Sequence, residues 1–459
     1  MTKKVLLLSF IPVLTGIGGY YLGLTAQQLL ILSVFVLSIL GTFLFWHLRL
    51  SFVFLGSTAL FLISGVHIEQ FIRFASLDVI IFLIGMMIVV GMLKESGVFH
   101  WLVTFVLKRR SINGISLYIV IIVLSAVLSA LTGEVTSMIV MMAVILEISD
   151  SLEIKPTPLV ISSVLATNIG SAATVLGNPI GILIALRSTL GFEDFLTHAL
   201  PVSIVVLFVA TFVLCFWYRE YIKVISSNLL LKDAGSRLPV SAPIDTKMKT
   251  NLVIFCFLIL CLAFHRRLEL LLGFSENRLL VILPIIFAGI SIIFRCEQVH
   301  YCIVHEVEWK SLLFFMFLFA QAGIIQTSGL AQLLAQELVK SMGNHPIVLS
   351  GVILSSSGLL SGLLDNTIVV SSFIPVIKNL HLMHFSLKPL WWCILFGACF
   401  GGNITAIGST ANIVALGLLE KQKGIKFNPG DWLKIGFVTA LLSLFISYLA
   451  VTIFSVFSY

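Results

Sequence analysis

The stretch SALTGEVTSMIV (129–140) places a carboxylate, Glu134, between two apolar runs. A second stretch, SGLLDNTIVVSS (361–372), does the same with Asp365 in the later half of the chain. A charged side chain inside a membrane is costly, so a carboxylate at such a position marks an ion or proton pathway by default. The two stretches predict two membrane hairpins, each with one acidic residue at its turn.

The composition is that of a membrane protein. Hydrophobic residues make up 59% of the chain and charged residues 11%, whereas soluble domains carry about 25% charged residues. Apolar windows long enough to span a bilayer as helices recur from residue 5 to residue 456. We therefore predict one all-α integral membrane domain. The net charge of +7 fits basic cytoplasmic loops, and we predict no binding to nucleic acid.

The chain contains an internal repeat with one constant offset. The offset from Glu134 to Asp365 is 365 − 134 = 231, and the offset from Gly177 to Gly408 is 408 − 177 = 231. Two separate matches at one offset indicate a duplicated unit. The stretches around the two glycines are NIGSAATVLGNPIGILIAL (168–186) and GGNITAIGSTANIVALGLL (401–419).

The repeat predicts the organisation of the chain. We expect an extra N-terminal helix in 1–27, repeat 1 in 28–217, a cytoplasmic linker loop in 218–249 and repeat 2 in 250–459. Five crossings in each repeat would invert one repeat relative to the other, as in many secondary transporters. The prediction is about 11 transmembrane helices plus two re-entrant hairpins, with a broken helix in each repeat.

Segments 168–180 and 401–412 predict the two broken helices. Their glycines, including Gly170 and Gly401, weaken a helix. Non-helical backbone inside a membrane is tolerated only where protein buries it or where it lines a wet cavity. Freed carbonyls and side-chain oxygens suit a small hard cation, and a half-helix N-terminus suits an anion. The alternative is that the small residues only allow close helix packing.

The hairpin turns and the helix breaks predict one central site for a substrate or an ion. Its candidate residues are Glu134, Thr136, Asn168, Thr174, Gly177, Asn178, Asp365, Asn366, Thr367, Asn403, Thr405, Gly408, Ser409 and Asn412. The alternative for the two carboxylates is that each caps the helix after its turn. None of the cysteines or histidines has the spacing of metal ligands.

Other charged residues in the apolar parts of the chain have structural explanations. Asp78 and Glu308 stand at helix starts, where acidic side chains act as caps. Lys94 and Glu95 end a span and are candidates for an ion pair at the interface. Arg187 ends the first broken helix, where it either anchors at the surface or attracts an anion.

Three motifs resemble the ion transporter superfamily. They are LLDNT (363–367), GNPIGILIA (177–185) and GACFGGNITAIGSTANIVA (397–415). The sequence is most similar to the branch of arsenite permeases, the pigmentation P protein and citrate-transporter-like proteins, to which sodium/proton antiporters are related. The resemblance covers nearly the whole chain after the first helix. Repeat 1 departs from it, since GEVT replaces the Asn-Thr of many relatives.

The resemblance implies a helical homodimer in which a scaffold holds an elevator-like transport part. It also implies ion-binding roles for the second hairpin turn and its broken partner helix. The residues at the matching positions are Asp365, Asn366, Thr367, Asn403, Thr405, Gly408 and Asn412, and the predicted cation ligands among them are Asp365, Asn366, Asn403 and Thr405. No cofactor is expected, and the coupling ion is sodium or a proton.

The function that we predict is sodium/proton antiport. A dicarboxylate would meet two carboxylates, and like charges about 4 Å apart repel by about 4 kcal/mol at an effective dielectric constant of 20. The alternatives are proton-coupled efflux of arsenite or antimonite, transport of a carboxylate or other small anion, and a passive channel. An enzyme is not expected, because no HExxH, GxGD or Ser/His arrangement is present. The expected partners are a small ion and the bilayer, in a bacterial inner (plasma) membrane.

Overall fold

The computed structural model describes ten stretches of the chain. They are residues 2–21, 23–99, 101–102, 113–188, 190–232, 245–294, 299–342, 345–383, 385–425 and 428–457. These stretches form helices and turns, without a β-strand in any of them. In this part of the chain nine helices are long and apolar enough to cross a membrane, and four shorter apolar helices accompany them. The nine include both arms of the first predicted hairpin.

The earlier half begins with the predicted extra helix. Its helices are α1 (Thr2–Tyr21), α2 (Ala26–Leu44), α3 (Arg49–Ser64), α4 (Ile68–Phe74), α5 (Leu77–Glu95), α6 (Gly114–Thr132), α7 (Glu134–Leu152), α8 (Thr157–Ser171), α9 (Pro179–Arg187), α10 (Leu200–Trp217) and α11 (Arg219–Lys232). Short helical turns cover Trp46–Leu48 and Phe192–Ala199. Helix α11 lies inside the predicted linker loop, of which residues 233–244 fall outside the described stretches.

The later half repeats this order. Its helices are α12 (Thr246–Ala263), α13 (His265–Leu272), α14 (Arg278–Phe294), α15 (Trp309–Thr327), α16 (Leu330–Met342), α17 (Pro346–Ser361), α18 (Asn366–His381), α19 (Leu387–Gly401), α20 (Thr410–Lys423) and α21 (Pro429–Phe457). Helical turns over Val299–Glu306 precede α15. The starts of matching helices keep the sequence offset, which is 309 − 77 = 232 for α5 and α15 and 410 − 179 = 231 for α9 and α20.

Both predicted hairpins are helical pairs with a tight turn. Helix α6 ends at Thr132, and α7 begins at Glu134. Gly133 between them has φ of 92°, a backbone conformation that glycine adopts without the steric cost of a side chain. In the second hairpin, α17 ends at Ser361 and α18 begins at Asn366. The turns therefore place Glu134 and Asp365 at the tips, as the sequence predicts.

The broken helices form the buried centre of the molecule. All residues of α8 from Leu159 to Ser171 are buried, and so are all residues of α19 from Pro389 to Gly401. Each packs along the first arm of the hairpin in its own half. The backbone leaves the helix in 172–178 and again in 402–409. The breaks are therefore shorter than the predicted segments and begin after Gly170 and Gly401.

Gly170 and Gly401 serve close packing, which corrects the prediction that they interrupt their helices. A Cβ atom on Gly170 would lie 2.1 Å from the carbonyl oxygen of Ala126, and one on Gly401 would lie 2.1 Å from that of Gly358. Both distances are far below van der Waals contact, so only glycine fits. The packing explanation of the small residues is thus right for these two positions.

We expect Gly170→Ala and Gly401→Ala each to destabilise the protein by about 1–3 kcal/mol, the usual cost of overpacking a tight core. The matched control is Gly417→Ala, because a Cβ atom there would have no neighbouring atom within 4 Å. Alanine in the middle of a helix is favoured over glycine by about 0.5–1 kcal/mol. Thermal unfolding of the purified variants measures these effects. Equal melting temperatures for all three variants would contradict this account.

Candidate functional site

The two carboxylates meet at the beginning of α20. The Ser409 hydroxyl donates to Oε1 of Glu134 at 3.5 Å, and the Thr410 hydroxyl donates to Oδ2 of Asp365 at 2.7 Å. Both carboxylates are buried, with exposed fractions of 7% for Glu134 and 6% for Asp365. Because Ser409 and Thr410 are adjacent, one helix start contacts an acidic residue from each hairpin.

The two carboxylates are held in different ways. Asp365 caps α18, since its Oδ1 accepts from the backbone N–H of Thr367 at 2.9 Å. Glu134 is not a cap: Gly133 occupies the cap position of α7, and Oε2 of Glu134 has no hydrogen-bond partner among the described residues. The capping alternative therefore accounts for one hydrogen bond of Asp365 and leaves the burial of Glu134 unexplained.

Three buried asparagines join the two broken helices. Nδ2 of Asn168 donates to Oδ1 of Asn403 at 2.7 Å and to Oδ1 of Asn412 at 2.9 Å. Asn412 in turn donates to the carbonyls of Gly402 and Thr405, both at 2.9 Å. All three asparagines are fully buried. The amide cluster fixes the break of the later half against the end of α8.

Two threonines attach the breaks to the hairpins in the same way. The Thr174 hydroxyl donates to the carbonyl of Ala130, and the Thr405 hydroxyl donates to that of Gly362 at 2.5 Å. The backbone N–H of Glu134 adds a hydrogen bond to the carbonyl of Gly177 at 2.9 Å. The predicted threonines are thus brought to the site, where their hydroxyl protons hold the backbone of the hairpins.

The second halves of the broken helices begin with polar caps. Oδ1 of Asn178 accepts from Gly181 N at 2.8 Å, and Oγ of Ser409 accepts from Ala411 N at 3.2 Å. Asn178 also donates to Sγ of Cys399 at 3.0 Å, so it touches both broken helices.

Gly177 and Gly408, which precede these caps, are sterically required. A Cβ atom on Gly177 would lie 2.2 Å from the Ser171 carbonyl oxygen, and one on Gly408 would lie 2.6 Å from that of Gly402. Each glycine lets the chain of a break fold back closely on itself.

The remaining candidates surround the hairpin tips. In the amide orientation that satisfies its neighbours, Asn366 donates to the carbonyls of Ala398 and Gly408 at 3.0 Å each. Thr367 is buried beside Asp365. Thr136 and Thr367 line a small cavity with a volume of about 80 Å³ next to Glu134. All predicted candidates therefore lie at the hairpin tips, in the breaks or on the helix turns next to them.

Two cavities bring residues to the site that the sequence did not single out. The small cavity beside Glu134 is also lined by Glu306, and a cavity of about 230 Å³ beside Asp365 is lined by Arg49. Nη2 of Arg49 donates to Ser311 Oγ at 3.3 Å. The one sequence signal that could have indicated Glu306 and Arg49 is their charge in an apolar chain. Their contacts could not be predicted, because the partner of each lies in the other half of the chain.

The other charged residues pair in ways that correct one prediction. Lys94 binds Glu306, with Nζ at 2.9 Å from each carboxylate oxygen, and does not pair with Glu95. Asp78 receives two hydrogen bonds from Arg187, at 2.8 and 2.9 Å. Glu308 stands at the cap position of α15 and accepts from the Ser311 hydroxyl at 2.9 Å.

The described residues contain no group of three His, Cys, Asp or Glu side chains that could hold a metal ion. The four predicted cation ligands have separate partners, since Asn403 faces Asn168 while the Thr405 hydroxyl faces Gly362. Two buried oxygens, Oε2 of Glu134 and Oδ1 of Asn168, lack a hydrogen-bond partner in the described chain. Such oxygens suit a hard cation, which takes oxygen ligands.

The family model described as citrate transporter matches residues 35–397 and 316–457, which together span most of the chain. The chain belongs to the citrate transporter family. An uncharacterised transporter of Mycobacterium tuberculosis (strain CDC 1551 / Oshkosh) is 32% identical over 378 residues, which cover 81% of this chain and 84% of the relative.

Two further similarities of this citrate transporter family member bear on the predicted superfamily and on the fold. The human P protein is 26% identical over 450 residues, which cover 83% of this chain and 53% of that protein. The crystal structure of the Alcanivorax borkumensis YdaH transporter matches with a TM-score of 0.60 over 95% of this chain and 99% of that one. At 17% identity this likeness concerns the fold alone. The predictions of an all-α membrane transporter and of the superfamily are confirmed.

Proposed function

We propose that this member of the citrate transporter family is a secondary transporter that exchanges sodium for protons, with Glu134 and Asp365 as the exchanging groups. The observation that supports the proposal is the meeting of these two buried carboxylates at Ser409 and Thr410. Each half of the chain supplies one carboxylate, and both lie at one helix end.

Two buried carboxylates at one helix end need positive charge to offset them. Like charges about 4 Å apart repel by about 4 kcal/mol at an effective dielectric constant of 20. The positive end of α20 offsets part of this, about 0.3–1 kcal/mol in exposed cases and up to about 2 kcal/mol when partly buried. A sodium ion or a proton supplies the rest, so the two cations compete for the same oxygens.

Carboxylate transport is the second candidate, because the matching family is described as citrate transporter. A cation at Glu134 and Asp365 would then neutralise the site and permit a carboxylate to approach. Proton-coupled efflux of arsenite or antimonite rests on the resemblance of motifs alone, and none of the described contacts favours it.

The assembly and the location of the protein are part of the same proposal. We place the chain in a bacterial inner membrane, since relatives such as the mycobacterial transporter are bacterial. We propose a homodimer in which the hairpins and broken helices move as one unit against the other helices. The predicted repeats, 28–217 and 250–459, would be related by the inverted symmetry that such movement uses.

The test is proton movement in proteoliposomes made from the full-length protein, followed with a trapped pH-sensitive dye. Sodium, lithium, arsenite and citrate are added outside in turn, with choline chloride as the control for ionic strength. We expect sodium to raise the internal pH, because protons leave as sodium enters. A response to arsenite or citrate without a response to sodium would overturn the proposal. A channel would be recognised by its inability to move protons against their gradient.

A further inference from the structure

A third cavity lies at the beginning of α5, just before the stretch of α5 that lines the Glu134 cavity. It has a volume of about 600 Å³ and lies where α5 begins and where α9 and α18 approach their ends. Its walls come from α4, α5, α9, α15 and α18. A volume of this size is within the range of about 300–1,000 Å³ typical of small-molecule sites.

The charged lining of this cavity is mainly positive. Arg73, Arg187 and Lys378 line it, and Asp78 is the one carboxylate among its described lining residues. Three cations and one carboxylate give 3 − 1 = +2 for the lining. Such a surplus in a partly enclosed space, where the walls exclude solvent, attracts anions.

Lys378 is the half-buried cation of this lining that has no hydrogen bond or ion pair in the described protein. Both oxygens of Asp78 accept from Arg187, at 2.8 and 2.9 Å. Lys378 has no hydrogen bond or ion pair with any residue of the described stretches, although it is within electrostatic reach of Arg187 and Asp78. The residue as a whole is half-buried on α18. A partly buried ammonium group needs a counter-charge, and this cavity can admit one.

We propose that this cavity binds a small soluble anion with two or more negative charges, held between Lys378 and Arg187. Arginine retains N–H donors beyond the two that Asp78 uses, and its planar head suits carboxylate and phosphate oxygens alike. Lys378 supplies a charge that forms no hydrogen bond or ion pair in the described chain. The two residues lie on α18 and α9, the helices that follow the second hairpin tip and the first break.

The site is separate in its residues from the proposed cation exchange, since none of its described charged residues contacts Glu134 or Asp365. Its walls also include α4 and α15, which belong to neither hairpin nor broken helix. An anion bound there would bridge the two groups of helices. The affinity of the cavity for the anion would then depend on the relative position of the two groups of helices, as it does at any binding site shared between moving parts.

The experiment is calorimetric titration of the full-length protein in nanodiscs of uncharged lipid, at constant ionic strength. Citrate, inorganic phosphate and chloride are the probes, so that carboxylate and phosphate chemistry are compared directly. We expect citrate or phosphate to bind and chloride not to compete. Lys378→Gln should weaken binding about 10- to 100-fold, the loss of one charge-assisted contact, and Lys378→Arg should retain most of it.

The matched control is Lys388→Gln, because Lys388 is exposed and does not line the cavity. We expect this variant to bind as the unchanged protein does. The absence of binding by both multivalent anions, or equal losses in Lys378→Gln and Lys388→Gln, would overturn the proposal. Unchanged proton exchange in Lys378→Gln would show that the anion site is separate from the cation site. Loss of sodium-driven exchange with intact anion binding would count against the cation site alone.

Discussion

Replacing Glu134 with glutamine is expected to abolish sodium-driven proton movement in proteoliposomes while the protein still folds. Glutamine has nearly the same size and keeps an oxygen that can accept from Ser409. It carries no charge and exchanges no proton, so the site loses the negative charge that binds the cation. Loss of a hydrogen bond or contact to a charged group costs about 1.5–3 kcal/mol, which corresponds to about 10- to 100-fold weaker cation binding.

Asp365→Asn should give the same functional loss by a change in the other half of the chain. Asparagine is as good a helix cap as aspartate, so the hydrogen bond from Thr367 N is kept and α18 still begins at the same place. The charge next to Thr410 is lost. A drop in exchange without a drop in melting temperature would therefore separate the transport role of Asp365 from its role as a cap.

Glu95→Gln is the matched control for both variants. Glu95 is exposed at the end of α5 and lines none of the described cavities near the site. It should exchange sodium and protons at the rate of the unchanged protein. Sodium-driven proton movement that persisted at this rate in both Glu134→Gln and Asp365→Asn would show that other groups carry the exchange.

The second large effect is expected from Asn168→Leu, which should destabilise the protein and disrupt the site together. The change removes the donor that satisfies Oδ1 of Asn403 and Oδ1 of Asn412. A buried acceptor left without a partner costs about 1–3 kcal/mol, so two of them cost about 2–6 kcal/mol. Helix α20 would lose its fixed position, and with it the alignment of the two carboxylates.

Asn251→Leu separates these effects, because Asn251 is also a buried asparagine but lies outside the site. It donates to the Met92 carbonyl at 2.8 Å and joins α12 to α5. We expect Asn251→Leu to lower the melting temperature and to retain sodium-dependent exchange in the protein that remains folded. Equal losses of exchange per folded molecule in the two variants would contradict a specific role for Asn168.

Much of the architecture follows from the constant offset between the two halves of the chain. The offset predicted the hairpin tips at Glu134 and Asp365 and the breaks near Gly177 and Gly408, because both signals depend on short local stretches. Glycines and polar residues interrupt an apolar pattern wherever the chain must turn inside the membrane. The structure places hairpin turns and breaks at these positions. The division into domains and the roles of the site residues remain predictions.

What the sequence could not provide is the set of contacts between distant parts of the chain. Ser409 of the later half donates a hydrogen bond to Glu134 of the earlier half, and Lys94 binds Glu306 rather than its neighbour Glu95. Such partners depend on how the two halves pack, which no local pattern encodes. The prediction that Gly170 interrupts its helix was wrong for the same reason, since its close neighbour Ala126 lies on another helix. From the sequence alone, such a glycine is interpreted as a helix breaker, because the residue that packs against it is not known.

The most direct test of the shared cation site is calorimetric sodium binding to the purified protein in two buffers with different heats of protonation. The difference between the buffers counts the protons released for each sodium ion bound. We predict release of at least one proton for each sodium ion bound. In the Glu134→Gln, Asp365→Asn double variant we predict neither sodium binding nor proton release. Sodium binding without proton release, or unchanged sodium binding in the double variant, would contradict the account.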